Sequence, residues 1–154
     1  MRNPTIVLLV LLLTSVNAFS QSEAVRKKNF NLSKGVAISG YDPVAYFTVG
    51  KAVEGNSKIS AEYQGITYYF SSAANKDLFV KNPSGYEPQY GGWCAYAMGS
   101  TGEKVEVDPS TFKIVNGKLY LFYNKYFNNT LKSWDKDENN LRSKADKNWT
   151  SIFK

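Results

Sequence analysis

The run FKIVNGKLYLFY, Phe112 to Tyr123, admits few conformations. Asn116-Gly117 suits a two-residue turn in which both central residues need positive φ. β-Branched and aromatic residues alternate on either side, as strands require. The run predicts a β-hairpin, which needs a further layer to be stable. A second hairpin is predicted over KISAEYQGITYYF, Lys58 to Phe70. There Ile59, Ala61 and Tyr63 alternate with polar residues, Gln64-Gly65 supplies the turn, and ITYYF is rich in strand formers.

Helices are predicted between and after the hairpins. Asp42-Pro43 reads as an N-cap followed by a first-turn proline, opening a short helix over 43–47 that ends near Gly50. Ser71 or Ser72 caps AANKDLFVK, with Leu78 and Phe79 toward the core and Asn82-Pro83 as the stop. Tyr86 to Tyr90 is expected as loop. WCAYAM, Trp93 to Met98, is expected as a helix ended by Gly99, Lys104–Val107 as a short strand, and Asp108-Pro109-Ser110 as a turn or the start of one helical turn. Tyr126–Trp134 and Leu141–Phe153 carry helical spacing, with Leu141, Ala145, Trp149 and Ile152 on one face. The fold class is therefore α+β: a small antiparallel sheet built from two hairpins, packed with short helices and C-terminal helices.

The N-terminus reads as a secretory signal. Arg2 precedes the apolar run Ile6–Leu13, and Ala18-Phe19-Ser20 fits a cleavage site, so residues 1–20 are expected to be removed. The run is short for a membrane span, which leaves no integral membrane segment after processing. The expected location is the periplasm or outside the cell. Residues 21–35 read as a flexible polar segment and residues 36–154 as a single domain. Removing residues 1–20 takes away Arg2 and no acid, leaving 18 basic and 13 acidic residues, a net +5. The basic residues are scattered apart from Arg26-Lys27-Lys28, so no nucleic-acid partner is expected. That basic tail suits weak contact with anionic lipid.

The chain has no histidine and one cysteine, Cys94. A Ser-His-Asp triad, a Cys-His pair and a His-ligated zinc or haem are excluded. A lone thiol makes no internal disulfide. One reading makes Cys94 a reactive thiolate: Gly91-Gly92 opens a helix with Cys94 in its first turn, and the glycines let a ligand approach the backbone. The other makes it a small apolar residue in an aromatic core. Oxidation to a sulfenic acid would need an external thiol or reductant, because there is no resolving cysteine. The nearest base in sequence is Lys104. Cys94 and Met98, four apart, suggest a thiolate–thioether pair for copper(I), though two ligands leave the site incomplete. A third reading is a binding cleft for a small apolar or aromatic ligand, edged by tyrosines. Tyr90, Gly91, Gly92, Trp93 and Tyr96 are then the candidate ligand-binding residues, with Cys94 structural. Asp42 is accounted for by its cap and is given no catalytic role. The residues leave open whether the protein is an enzyme.

GYDPVAYF, AEYQGITYYFSS, the DLF helix, NPSGY and YGGWCAY together resemble the YHS-domain family. More narrowly they resemble its exported single-domain branch, often labelled YHS domain-containing (seleno)protein, over about residues 36–152. The resemblance implies metal binding through three cysteines in the wider family. Their positions here are Ala45, Ser71 and Asn75, and the namesake histidine is also replaced. That metal site does not carry over, and Ser71 reads as a helix cap. The narrower branch keeps a cysteine or selenocysteine in YGGxC, which here is Cys94. The resemblance thus implies a redox- or metal-related role centred on Cys94.

Overall fold

The computed structural model describes residues 22–153; the signal-peptide expectation for residues 1–20 lies outside them. Among the described residues no helix is long and apolar enough to cross a membrane. Helix α1 spans residues 22–29. It is followed by β1 (Leu32–Ser33), β2 (Val36–Ala37), α2 (Ala45–Thr48), β3 (Asn56–Tyr63), β4 (Ile66–Phe70), α3 (Ala73–Lys81) and α4 (Pro83–Tyr86). Then come α5 (Ala95–Ser100), β5 (Asp108–Val115), β6 (Lys118–Phe122), β7 (Asn124–Lys125), β8 (Asn128–Asn129), α6 (Thr130–Trp134) and α7 (Glu138–Ser151).

Both expected hairpins form, because each turn pair takes the left-handed conformation. Gln64 and Gly65 have φ of 46° and 81°, and Asn116 and Gly117 have 51° and 71°. The α+β class holds, but the strands do not make one sheet. The first hairpin lies in a four-stranded sheet of order β1-β2-β4-β3, in which β2 and β4 run parallel, while β5-β6 and β7-β8 stand apart.

Strand β6 joins two halves of the core. Side chains alternate along a strand. Leu119 and Leu121 accordingly enter a cluster with Val44, Tyr46, Ile66, Tyr68, Phe70 and Phe79. Tyr120 and Phe122 enter a second cluster with Trp134, Leu141 and Ala145. Helix α7 presents the expected face, with Leu141 and Ala145 buried and Trp149 and Ile152 packed at the edge.

Several expectations are corrected. Residues 22–35, expected as flexible, are held to the body. The Arg26 guanidinium donates to Glu87 at 2.5 Å, and the Trp93 indole N–H donates to the Asn29 carbonyl at 2.6 Å. Phe30 packs on Trp149 with ring centroids 5.8 Å apart. Too few apolar residues mark this helix for periodicity to detect it. Phe79 is buried but Leu78 is exposed, since one turn of α3 cannot turn adjacent residues to the same side. Lys104–Val107 pairs with no strand; its Val105 carbonyl accepts instead from Cys94 N–H. Asp108-Pro109-Ser110 does turn, through Ser110 N–H on the Asp108 carboxylate, but within β5 as an irregularity in its register. Tyr126–Trp134 is helical only from Thr130, after the β7–β8 turn. Helix α5 runs through Gly99 rather than ending there. A Cβ on Gly99 would lie 2.4 Å from the Leu141 carbonyl oxygen, so this glycine lets α5 and α7 touch.

Candidate functional site

Cys94 lies at the junction of α5 with the β6–β7 region. It is the residue before α5, with φ −57° and ψ 117°, and its side chain makes no capping bond. The expected first-turn position is therefore corrected by one residue. The sulfur has no solvent exposure. It accepts the Tyr123 backbone N–H at 3.3 Å and lies 3.4 Å from Thr130 Oγ1. Thr130 Oγ1 donates its hydrogen to the Tyr123 carbonyl at 2.9 Å, so in this arrangement the thiol donates to Thr130. The Tyr123 carbonyl also accepts the Thr130 N–H at 3.0 Å. The Thr130 hydroxyl can thus turn toward the sulfur without orphaning that carbonyl.

Above the sulfur is a depression of about 300 Å³. Tyr96, Ala97, Val105 and Tyr123 form its apolar wall, and Ser100, Thr101, Glu103 and Asn128 its polar rim. Lys104 does not approach Cys94 as a base. Its ammonium donates to Asn29 Oδ1 at 2.7 Å, and burial together with Lys28 lowers its pKa.

The five candidate ligand-binding residues are split. Tyr96 alone lines the depression with Cys94. Gly91 is closed to a ligand: a Cβ there would meet Trp149 at 2.7 Å and Phe30 at 2.9 Å. Its positive φ of 59° serves the tight connection and this aromatic packing. Gly92 is buried beside Pro88 and Asn31. Trp93 is tied to Asn29, and Tyr90 is buried with its hydroxyl donating to Asp146 at 2.9 Å. Tyr90 faces a different, polar hollow of about 350 Å³ where Arg26 and Glu87 already neutralise each other.

Cys94 and Met98 do not form the expected soft pair. Cys94 packs in the first core cluster and Met98 in the second, with Tyr120, Phe122 and Trp134. The four-residue spacing puts side chains on one face only where both ends are helical, and Cys94 is not. Among the described residues, no three Cys, Asp or Glu side chains gather as a metal-binding group.

The positions of the family's three thiols, by contrast, converge. Asp42 is fully buried in the first core half. Its Oδ1 accepts the N–H groups of Val44 at 2.8 Å and Ala45 at 3.3 Å. Its Oδ2 accepts Ser71 N–H at 2.8 Å, Ser71 Oγ–H at 2.6 Å and Asn75 Nδ2–H at 2.7 Å. The helix expected over 43–47 begins at Ala45 with Val44 as its N-cap residue, so Asp42 holds the turn before the helix rather than capping it, and it also reaches two residues about thirty positions away. Ser71 is therefore not the cap of α3; Ser72 is, accepting Asn75 N–H at 3.1 Å. This donor set does not fit a metal. Ala45 offers no ligand atom, Ser71 and Asn75 point hydrogens at the carboxylate, and five donors occupy its lone pairs.

Sequence reasoning missed Thr130, Tyr123 and the rim residues. No motif marks them, since only the β6–β7 path and α6 bring them over Cys94. The searches of curated proteins and of solved structures gave no match. Residues 44–90 match the family model of the YHS domain. The family match begins two residues after Asp42 and ends four residues before Cys94.

Proposed function

We propose that this is an exported, non-catalytic binding protein that takes a small, largely apolar ligand into the depression over Cys94. The observation that carries the reading is the combination of an apolar wall (Tyr96, Ala97, Val105, Tyr123), a polar rim and a sealed thiol floor. Its volume is at the lower end of small-molecule sites, about 300–1,000 Å³. The rim carboxylate Glu103 and the amide of Asn128 favour a ligand bearing one or two hydrogen-bond donors. Cys94 then serves as wall and hydrogen-bond acceptor. Export rests on the leader-like residues 1–20 and on the resemblance to the exported branch; N-terminal sequencing of the protein recovered from cell fractions tests it.

Titration with the neutral dye N-phenyl-1-naphthylamine tests the binding reading. Fluorescence should rise saturably, and Ala97→Leu, which fills the depression, should abolish the rise while circular dichroism stays unchanged. A rise that Ala97→Leu leaves intact would sink the reading.

A second reading keeps Cys94 redox-active. It is favoured by the Thr130 hydroxyl, which can turn to give a thiolate a second donor beside Tyr123 N–H. Attack of that thiolate on hydrogen peroxide gives the sulfenic acid and hydroxide, and an external thiol then reduces it. Mass spectrometry after peroxide and dimedone distinguishes the readings: an adduct on the folded protein supports this one, and labelling only after unfolding removes it.

A further inference from the structure

The β7–β8 hairpin has a turn of unusual composition. Its two central residues are Tyr126 and Phe127, with φ of 51° and 63°. Such turns select glycine, asparagine and aspartate, because other side chains crowd the backbone there. Both aromatics also project into solvent, at 89% and 111% relative exposure, against 59% for the next most exposed large apolar residue, Val49. They appear in neither core cluster. Folding stability explains neither the residue types nor their exposure.

Along the chain the charges flanking the tip are basic, while in space Asp108 faces Lys125 and Glu103 lines the same depression as Asn128 of β8. Residues 109–134 contain Lys113, Lys118, Lys125 and Lys132 and no acid. Lys113 is engaged by Asp135 and Glu138. Lys125, beside the tip, and Lys132, on the helix that follows it, are exposed. The acid that faces Lys125 is Asp108, which is itself held by Ser110 and Thr111.

We propose that this hairpin tip is a docking element for an anionic membrane surface, with Tyr126 and Phe127 entering the interface and Lys125 and Lys132 meeting the headgroups. A tyrosine is at home at that depth, apolar in its ring and wet at its hydroxyl. A phenylalanine adds buried area, and lysines add an attraction that salt weakens. Neither signal anchors alone, and together they give reversible attachment. An acidic protein would use the same lysines and could bury the same aromatics, and the polyglutamate arm of the test separates it from the membrane. The inference is independent of what occupies the Cys94 depression.

Vesicle co-sedimentation tests it, using protein that keeps the N-terminus left by its producing cell, so that this segment is common to every variant. Wild type should partition onto phosphatidylcholine vesicles containing about one-third phosphatidylglycerol, and far less onto phosphatidylcholine alone. Tyr126→Asn with Phe127→Gly gives the turn its preferred residues, so the fold is retained. It should lower partitioning at least tenfold while leaving the thermal midpoint unchanged or higher. Lys125→Gln should lower partitioning a few-fold and flatten its salt dependence. Equal partitioning of wild type and the double variant would overturn the proposal. So would equal binding of both proteins to polyglutamate with no vesicle binding, which would indicate an acidic partner in solution.

Discussion

Asp42 and Cys94 are both sealed from solvent, and each receives backbone hydrogens, but they are buried in different ways. Asp42 is saturated: five donors from two segments converge on its oxygens. Cys94 has one backbone donor, one hydroxyl neighbour and a depression above it. A buried charge survives only when it is fully hydrogen-bonded. A buried thiol carries no such demand, so its surroundings are free to be shaped for a ligand. The comparison separates a buried group saturated by hydrogen bonds from one that leaves space beside it.

The sharpest way to break the comparison is Asp42→Ala. It would leave the Val44 and Ala45 N–H groups without an acceptor in the closed interior, while exposed Ser71 and half-buried Asn75 can turn to water, and is expected to cost about 2–4 kcal/mol. Urea unfolding measures it; a loss under about 1 kcal/mol would mean that the carboxylate is not the centre of that half. Gly99→Ala is expected to cost about 2 kcal/mol, because its new methyl meets the Leu141 carbonyl and pushes α5 from α7. It should also disturb the depression over Cys94, which dye binding would report.

Cys94→Ala should cost about 1–2 kcal/mol, by leaving Tyr123 N–H without the sulfur. In the wild type, Ellman's reagent should react on the native protein only at the rate of global or local opening, and at once in guanidinium. Fast native reaction would move Cys94 from a sealed floor to an open site.

The smallest expected effect is that of Tyr46→Phe, about 1 kcal/mol from the lost bond of its hydroxyl to the Pro109 carbonyl. It also carries a pH signature. Burial above all, then Tyr41, Asp108 and Asp42, raises the Tyr46 pKa above its ordinary 10.0. Tyr68 is raised likewise, by burial and then by Glu87. A phenol whose folded pKa is raised contributes stability that is complete below pH 10 and is lost as the pH climbs past it, because the unfolded chain ionises first. Wild type should therefore lose stability steeply above about pH 10, and Tyr46→Phe should soften that slope. An unchanged slope in the variant would show that Tyr46 is not among the responsible phenols.

The parts of the fold visible in the sequence were those set by local backbone chemistry. Gln64-Gly65, Asn116-Gly117 and the Asp42-Pro43 turn each act within a few residues, and the α7 stripe repeats often enough to be read. What escaped depends on distant partners. Nothing near Asp42 announces Ser71 and Asn75, although the resemblance had already paired their positions. Helix α1 escaped because its hold on the body is an ion pair, a few polar contacts and one phenylalanine. The Cys94–Met98 pairing failed on a single non-helical residue. The Tyr126–Phe127 turn escaped because it violates the residue preference by which such turns are recognised.

The Gly91 contact bears on how this protein is to be cut. Phe30, from the end of the N-terminal helix, and Trp149, from the C-terminal helix, both close on one glycine that lies just beyond the residues matching the YHS family. Excising residues 44–90 would remove both lids and, with β6, the strand that supplies Leu119 and Leu121 to that segment's core. A fragment with the family's boundaries is thus expected to be an unfolded peptide. Fragments for expression, crystallisation or fusion need both helices, from residue 22 to residue 153.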